Sequence, residues 1–180
     1  LKQKYKIEDR LYSRSDIEII PHLYKMLGLS FLEELNGMFS MIIVDERKGE
    51  VYVITDRFAQ KPLYYSYVNG NLFFSSELKS FLLEFPCEID KENLVLGLYL
   101  GYSIPPLTPV RNISKLEPAT ILKIKGGKIE KNIWYYLKPF YDINKFSNKE
   151  IGEQFFEMFD SSVGLRMKAD VDAGAFLSGG

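Results

Sequence analysis

Few residues in this chain have the types and spacing that chemistry needs. Ser178-Gly179-Gly180 follows an apolar run from Val171 to Leu177. Glycines after a buried strand let backbone N–H groups turn toward a phosphate, and a following helix would add its dipole. An isolated Ser-Gly-Gly is more often a plain strand-ending turn. Asp170 and Asp172 bracket Val171, and two carboxylates at a strand edge are more often solvated than metal-bound. Asp16 stands at a helix start between Arg14-Ser15 and Ile17. A carboxylate there suits the ammonium of an amino acid, or simply caps the helix and meets its dipole. His22 and Cys87 are each the single residue of their type. A Cys–His pair works only in contact, and nothing in the sequence brings the two together. With no other His or Cys, a zinc site is almost excluded. Asp56, Arg57, Glu77 and Lys79 read as an ion network tying two hairpins together rather than as catalysts.

Composition narrows the classes. The chain has 180 residues, 23 basic against 24 acidic, and 46% apolar. That supports a sizeable core and gives no electrostatic case for nucleic acid or an anionic membrane. Lys123, Lys125, Lys128 and Lys131 read as the solvated side of a hairpin. One cysteine excludes an intrachain disulfide and favours a reducing compartment, so a cytoplasmic protein is expected. No apolar run reaches membrane-spanning length.

The elements that must position these residues centre on Leu35 to Lys79. Phe39–Val44 and Val51–Thr55 are apolar at nearly every position, which predicts strands covered on both faces. Leu63–Val68 and Asn71–Ser75 form a second hairpin around Asn69-Gly70. Thr120–Ile124 and Lys128–Tyr136 form a third around Gly126-Gly127. An edge strand is expected near Tyr5. Ser15 and Glu18 have capping-box spacing ahead of a helix with apolar Ile17, Ile20, Leu23, Tyr24 and Leu27. Pro21 in that pattern implies a late start or a kink. Helices are also predicted over Glu77–Leu83, from Asp90 to Leu100, and from a second capping box at Ser147–Glu150 to about Met167. Val171–Leu177 reads as a buried strand. The order changes from hairpins with helices to helix, strand and Gly-rich turn after about Tyr136, with Lys138 to Asn148 as a linker.

Together these motifs resemble the glutamine-hydrolysing asparagine synthetases. Leu35-Asn36-Gly37-Met38-Phe39, then Asp56-Arg57 with Lys61-Pro62-Leu63-Tyr64-Tyr65, then Phe74-Ser75-Ser76-Glu77-Leu78-Lys79 are similar to the second half of that family's class II glutamine amidotransferase domain. Ser15-Asp16-Ile17-Glu18 resembles its Ser-Asp-x-Glu segment. The stretch from Ile113 to Thr120, with Trp134, resembles its closing segment. Arg166-Met167, Asp170-Val171 and Gly174 to Gly180 resemble the entry to its synthetase domain. The resemblance implies an α+β fold: part of an N-terminal-nucleophile αββα sandwich over 1–136, then the first helix and strand of an α/β adenine-nucleotide-binding domain over 137–180. It implies an ATP- and Mg2+-dependent ligase that hydrolyses glutamine to ammonia and amidates an adenylated carboxylate such as aspartate. By the same resemblance Asp16 holds the glutamine amino group. Phe176, Leu177, Ser178, Gly179 and Gly180 contact ATP. A homodimer is compatible with it.

Departures from the family pattern bear on the product. Thr55 stands where Arg is usual, Ala59 where Gly is usual, Ala119-Thr120 where Gly-His is usual, and Asp172 where Pro is usual. They keep open an amidotransferase acting on a sugar, peptide or β-lactam precursor, and a non-catalytic scaffold. The family's nucleophile is an N-terminal Cys, a part Leu1 cannot take. The sequence is therefore expected to be an internal piece of the enzyme. Alone it is expected to be inactive, with no catalytic residue and no metal ligand of its own. Its open sheet edges are expected to make it prone to association.

Overall fold

The computed structural model describes residues 1–7, 11–13, 15–138, 145–167, 169 and 171–176. Two compact units divide the chain, Leu1–Tyr136 and Leu137–Gly180. In the first unit, strands β1 (Ser40–Asp45), β2 (Glu50–Thr55), β6 (Thr120–Lys125) and β7 (Lys128–Ile133) form one sheet in the order β1-β2-β6-β7. Strands β3 (Tyr64–Val68), β4 (Asn71–Ser75) and β5 (Ser114–Lys115) form a second, in the order β4-β3-β5. All three predicted hairpins are present and antiparallel. What joins the first to the third is the pairing of β2 with β6, with Val53 opposite Leu122.

The side-chain alternation of the strands builds the layers. Val53 and Leu122 point to the second sheet and pack with Leu63 and Leu116; Tyr65 and Phe74 close around them. Tyr52, Ile54 and Ile121 point the other way. They meet Ile19 and Leu23 of helix α1 (Ile19–Leu27) and Phe31 and Leu32 of the 3-10 helix Gly28–Glu34. Beyond the second sheet, Phe81 of the short helix α2 (Phe81–Glu84) packs with Val110 and Ile113 against Tyr64 and Phe73. The succession is helix, sheet, sheet, helix, held by three apolar clusters.

Several expectations fail for identifiable reasons. β1 is not covered on both faces. It lies at a sheet edge beyond the reach of the three-stranded sheet, so Ile42 and Val44 are 49% and 63% exposed while Met41 and Ile43 pack inward. No strand forms near Tyr5. Residues 1–7 coil through Tyr5 N–H to Leu1 O and Ile7 N–H to Lys2 O bonds, and Ile7 is buried in the core. The capping box at Ser15 does not form. A helix starting there would need an N–H from Pro21 to Ile17 O, which proline lacks. The helix starts at Ile19 instead, with Pro21 in its first turn. The Glu77–Leu83 stretch is a 3-10 turn, Leu78–Ser80, followed by α2. Helix α3 (Lys91–Leu100) starts as predicted, with Asp90 capping Asn93 N–H at 3.0 Å.

In the second unit, α4 (Asn148–Arg166) opens on the predicted capping box. Ser147 Oγ accepts from Glu150 N–H, and the Glu150 carboxylate accepts from Ser147 N–H at 2.8 Å. The strand predicted after it does not form among its described residues. Residues 171–176 are irregular and exposed, Val171 at 78%. A strand exists only when its backbone groups find a neighbour, and among the described residues none pairs with this segment. Leu177, Ser178, Gly179 and Gly180, and also Asp170, lie outside the described residues. Of the predicted helix and strand, the described residues form the helix alone.

Candidate functional site

Asp16 sits in the bend that leads into α1, and it is exposed. Its neighbours are held by hydrogen bonds. Ser15 Oγ accepts from Ile17 N–H at 3.3 Å, Ser13 Oγ accepts from Ser15 N–H at 3.1 Å, and Ile17 O accepts from Ile20 N–H at 3.0 Å. Glu18 turns back across the bend. Its two oxygens accept from Tyr12 N–H at 2.6 Å, Ser13 N–H at 2.8 Å and Ser13 Oγ–H at 2.6 Å. The Ser13 hydroxyl leads the contacts that hold the Glu18 carboxyl below its usual range. Among the described residues no hydrogen bond or ion pair ends on Asp16. An exposed carboxylate with no partner among the described residues, on a bend braced on either side, suits an ammonium.

The other candidate residues fall apart as chemical groups. His22 lies on α1, outside the first sheet, whereas Cys87 packs with Phe81 outside the second. Both sheets stand between them. Cys87 Sγ is 3.4 Å from Phe85 O and 3.8 Å from Phe81 O, with no base beside it among the described residues. No group of three or more His, Cys, Asp or Glu among the described residues is placed to hold a metal. Phe176 is fully exposed. Residues 171–176 are irregular and exposed, and the rest of the predicted ATP segment lies outside the described residues.

Asp56, Arg57, Glu77 and Lys79 do not form one ion network. Asp56 is 1% exposed and is satisfied by backbone. Its carboxylate accepts from Phe39, Phe58, Gln60 and Lys61 N–H at 3.0–3.3 Å. Its own carbonyl accepts from Ala59 and Ala119 N–H. Arg57 donates to Leu35 O and Glu33 O and lies 5.3 and 5.0 Å from the ring centres of Trp134 and Tyr135. Glu77 and Lys79 form a separate exposed pair at 2.7 Å. The departures from the family pattern are absorbed locally. Thr55 is buried, donates to Glu117 O at 2.6 Å and accepts from Thr120 N–H at 3.1 Å. Ala59 and Ala119 both adopt positive φ, 48° and 50°, a backbone state in which glycine is the less strained residue. What sequence reasoning missed is the inward turn of Glu18. Its spacing from Ser15 signalled a cap, and only the late helix start imposed by Pro21 releases it for Ser13.

The two antiparallel sheets between helical layers fit a glutamine amidotransferase domain. Residues 1–135 match the model of the glutamine amidotransferase domain, and the chain belongs to that family. It is 34% identical over its whole length to a protein of Methanocaldococcus jannaschii provisionally named a glutamine-hydrolysing asparagine synthetase. It is 30% identical to asparagine synthetase 1 of Bacillus subtilis over 92% of the chain, and 31% identical to the amidase chry2 of Gibberella zeae over 96%. The matched regions make up 35%, 26% and 26% of those proteins. The chain thus spans about a third of the first relative and about a quarter of the other two.

Proposed function

We propose that the full-length protein is a two-site enzyme that releases ammonia from glutamine in this sandwich domain and uses ATP elsewhere to amidate a carboxylate. The observation that carries the reading is the amidotransferase match across residues 1–135. In that sandwich Asp16 holds the α-ammonium of glutamine by charge-assisted hydrogen bonding. Residues 137–180 open the ATP-using domain. There Phe176, Leu177 and Ser178 flank the adenylate, and Gly179 and Gly180 begin the phosphate turn. Bound there, ATP with Mg2+ would supply the activation of the acceptor carboxylate. Within this chain the contribution is positional: Asp16 fixes the amino end of glutamine, and the Asp56 loop holds the scaffold. Aspartate is the first acceptor to test, because asparagine synthetases stand among the relatives. The match to the amidase chry2 favours a second reading, a different acceptor on the same machinery.

The test is to incubate the full-length protein with glutamine, ATP, Mg2+ and aspartate and to quantify glutamate, AMP, pyrophosphate and asparagine. All four rising together supports the first reading. Glutamate with no asparagine, but AMP on adding another carboxylate, supports the second. No glutamate under any condition overturns both.

A further inference from the structure

Asp16 is exposed and has no partner of its own among the described residues, so the bend that carries it needs another source of rigidity. Resting on the reading of Asp16 as the ammonium acceptor, we infer that Glu18 is its positioning residue: by clamping Tyr12 and Ser13 it fixes the bend that presents the Asp16 carboxylate to the α-amino group of glutamine.

The geometry supports this on both sides of Asp16. Glu18 takes three donors, two backbone N–H groups and one hydroxyl, at 2.6–2.8 Å. The same Ser13 hydroxyl oxygen then accepts from Ser15 N–H, immediately before Asp16. Immediately after Asp16, Ile17 N–H is taken by Ser15 Oγ, and Ile17 O by the first turn of α1. These hydrogen bonds therefore span 12 to 20 with Asp16 between them, and none of those among the described residues uses the Asp16 side chain. Holding a backbone residue in a single conformation costs conformational entropy. In this bend folding meets that cost before glutamine arrives, which is the sense in which a site is preorganised. Glu18 serves α1 only weakly as a cap, since it donates no side-chain bond to the helix and accepts none from it. Its carboxylate points its bonding away from α1, toward the segment preceding Asp16.

A purely structural Glu18 and a positioning Glu18 separate by substrate selectivity. The full-length protein is assayed with glutamine and with glutaric acid monoamide, which is glutamine without its α-amino group. In Glu18→Ala the ratio of kcat/KM for glutamine over the monoamide falls about tenfold. The fall comes through KM for glutamine, and the monoamide constants stay at wild-type values. Ser13→Ala moves the ratio in the same direction. Asp16→Asn abolishes the preference. If Glu18→Ala does not fold, judged by circular dichroism, Glu18→Gln is read by the same ratio, because its amide cannot accept all three donors. A Glu18 variant that folds and keeps the wild-type ratio while Asp16→Asn loses it overturns this inference alone. An Asp16→Asn that keeps the ratio overturns the assignment of Asp16 and this inference with it. A wild type that hydrolyses neither compound overturns the functional reading itself.

Discussion

Asp56 shows how much a single buried carboxylate can organise without reacting. It lies between β2 and the link to β3, and it gathers N–H groups from Phe39 before β1 and from Phe58, Gln60 and Lys61 after β2. Hydrogen bonds to a charged group contribute about 1.5–3 kcal/mol each, and a buried N–H left unpaired is penalised further. Asp56→Ala strands several such donors at once, so a loss of at least about 3 kcal/mol is expected. Urea denaturation of the full-length protein checks it; a midpoint within error of wild type would refute it. Glu50 makes a pH-dependent contribution of the same kind. The Tyr52 hydroxyl, then Lys125 and Lys123, lower its pKa from the usual 4.5 to about 2. In turn burial, followed by the Glu50 contact, pushes the Tyr52 hydroxyl upward. A depressed folded-state pKa means that the stabilisation is complete above the unfolded value and is lost as pH falls through the folded one. Stability should therefore decline between about pH 4.5 and about pH 2. Glu50→Gln should remove that part of the acid limb, leaving a shallower slope of urea midpoint against pH.

At the scale of elements, local chemistry was legible and long-range pairing was not. Asn69-Gly70 locates the turn of the β3–β4 hairpin and its register, because a two-residue turn with positive φ at both positions fixes register, though β3 starts at Tyr64 rather than Leu63. Asp90 and Ser147 marked their helix starts for the same reason, a side chain acting within three residues. The pairing of β2 with β6 spans most of the domain and leaves no local signature, so nothing in either hairpin announced it. The apolar run of β1 misled because hydrophobicity records what a strand prefers to meet, not what this chain supplies to meet it. At the candidate site the motif singles out Asp16, whereas the contacts of Glu18 to Tyr12 and Ser13 depend on Pro21 shifting the helix start. Arg57 was also misread, since an arginine beside an aspartate suggests an ion pair. It instead ties three elements: the end of the 3-10 helix through Glu33 O and Leu35 O, the link after β2, and Trp134-Tyr135 after β7. Lysine keeps the charge but loses the planar fork that bonds carbonyls and faces rings. Arg57→Lys should cost about 1–2 kcal/mol. Trp134, the single tryptophan, reports it directly: its emission should shift to longer wavelength and become more accessible to acrylamide. Unchanged quenching would mean that Arg57 does not hold this corner.

For the molecule as a whole, the layered core and its open margin belong together. β2 and β6 are covered on both faces, and every large residue of the inter-sheet cluster comes from them, from β3 and β4, or from the segments flanking β3 and β5. β1 contributes nothing to that cluster. Ile42 and Val44 share the face of Val53 and Val51 but stand in solvent, on a strand whose outer edge is unpaired among the described residues. An exposed apolar edge strand recruits another strand. The 180-residue chain, expressed alone, should therefore associate through β1 at micromolar concentration. Light scattering after size exclusion should show species larger than 20.8 kDa. A lysine on an edge strand opposes such pairing by charge and by desolvation cost. Ile42→Lys with Val44→Lys should return the chain toward monomer with its far-ultraviolet circular dichroism retained, because neither side chain reaches the three core clusters. The same two substitutions in the full-length protein discriminate further. If that face is covered there, they lower the thermal midpoint, whereas an uncovered face leaves it unchanged. Association of the double variant equal to that of the wild-type chain would place the sticky surface elsewhere, with the exposed apolar residues of α3, Val95, Leu98 and Tyr99, next to be tested.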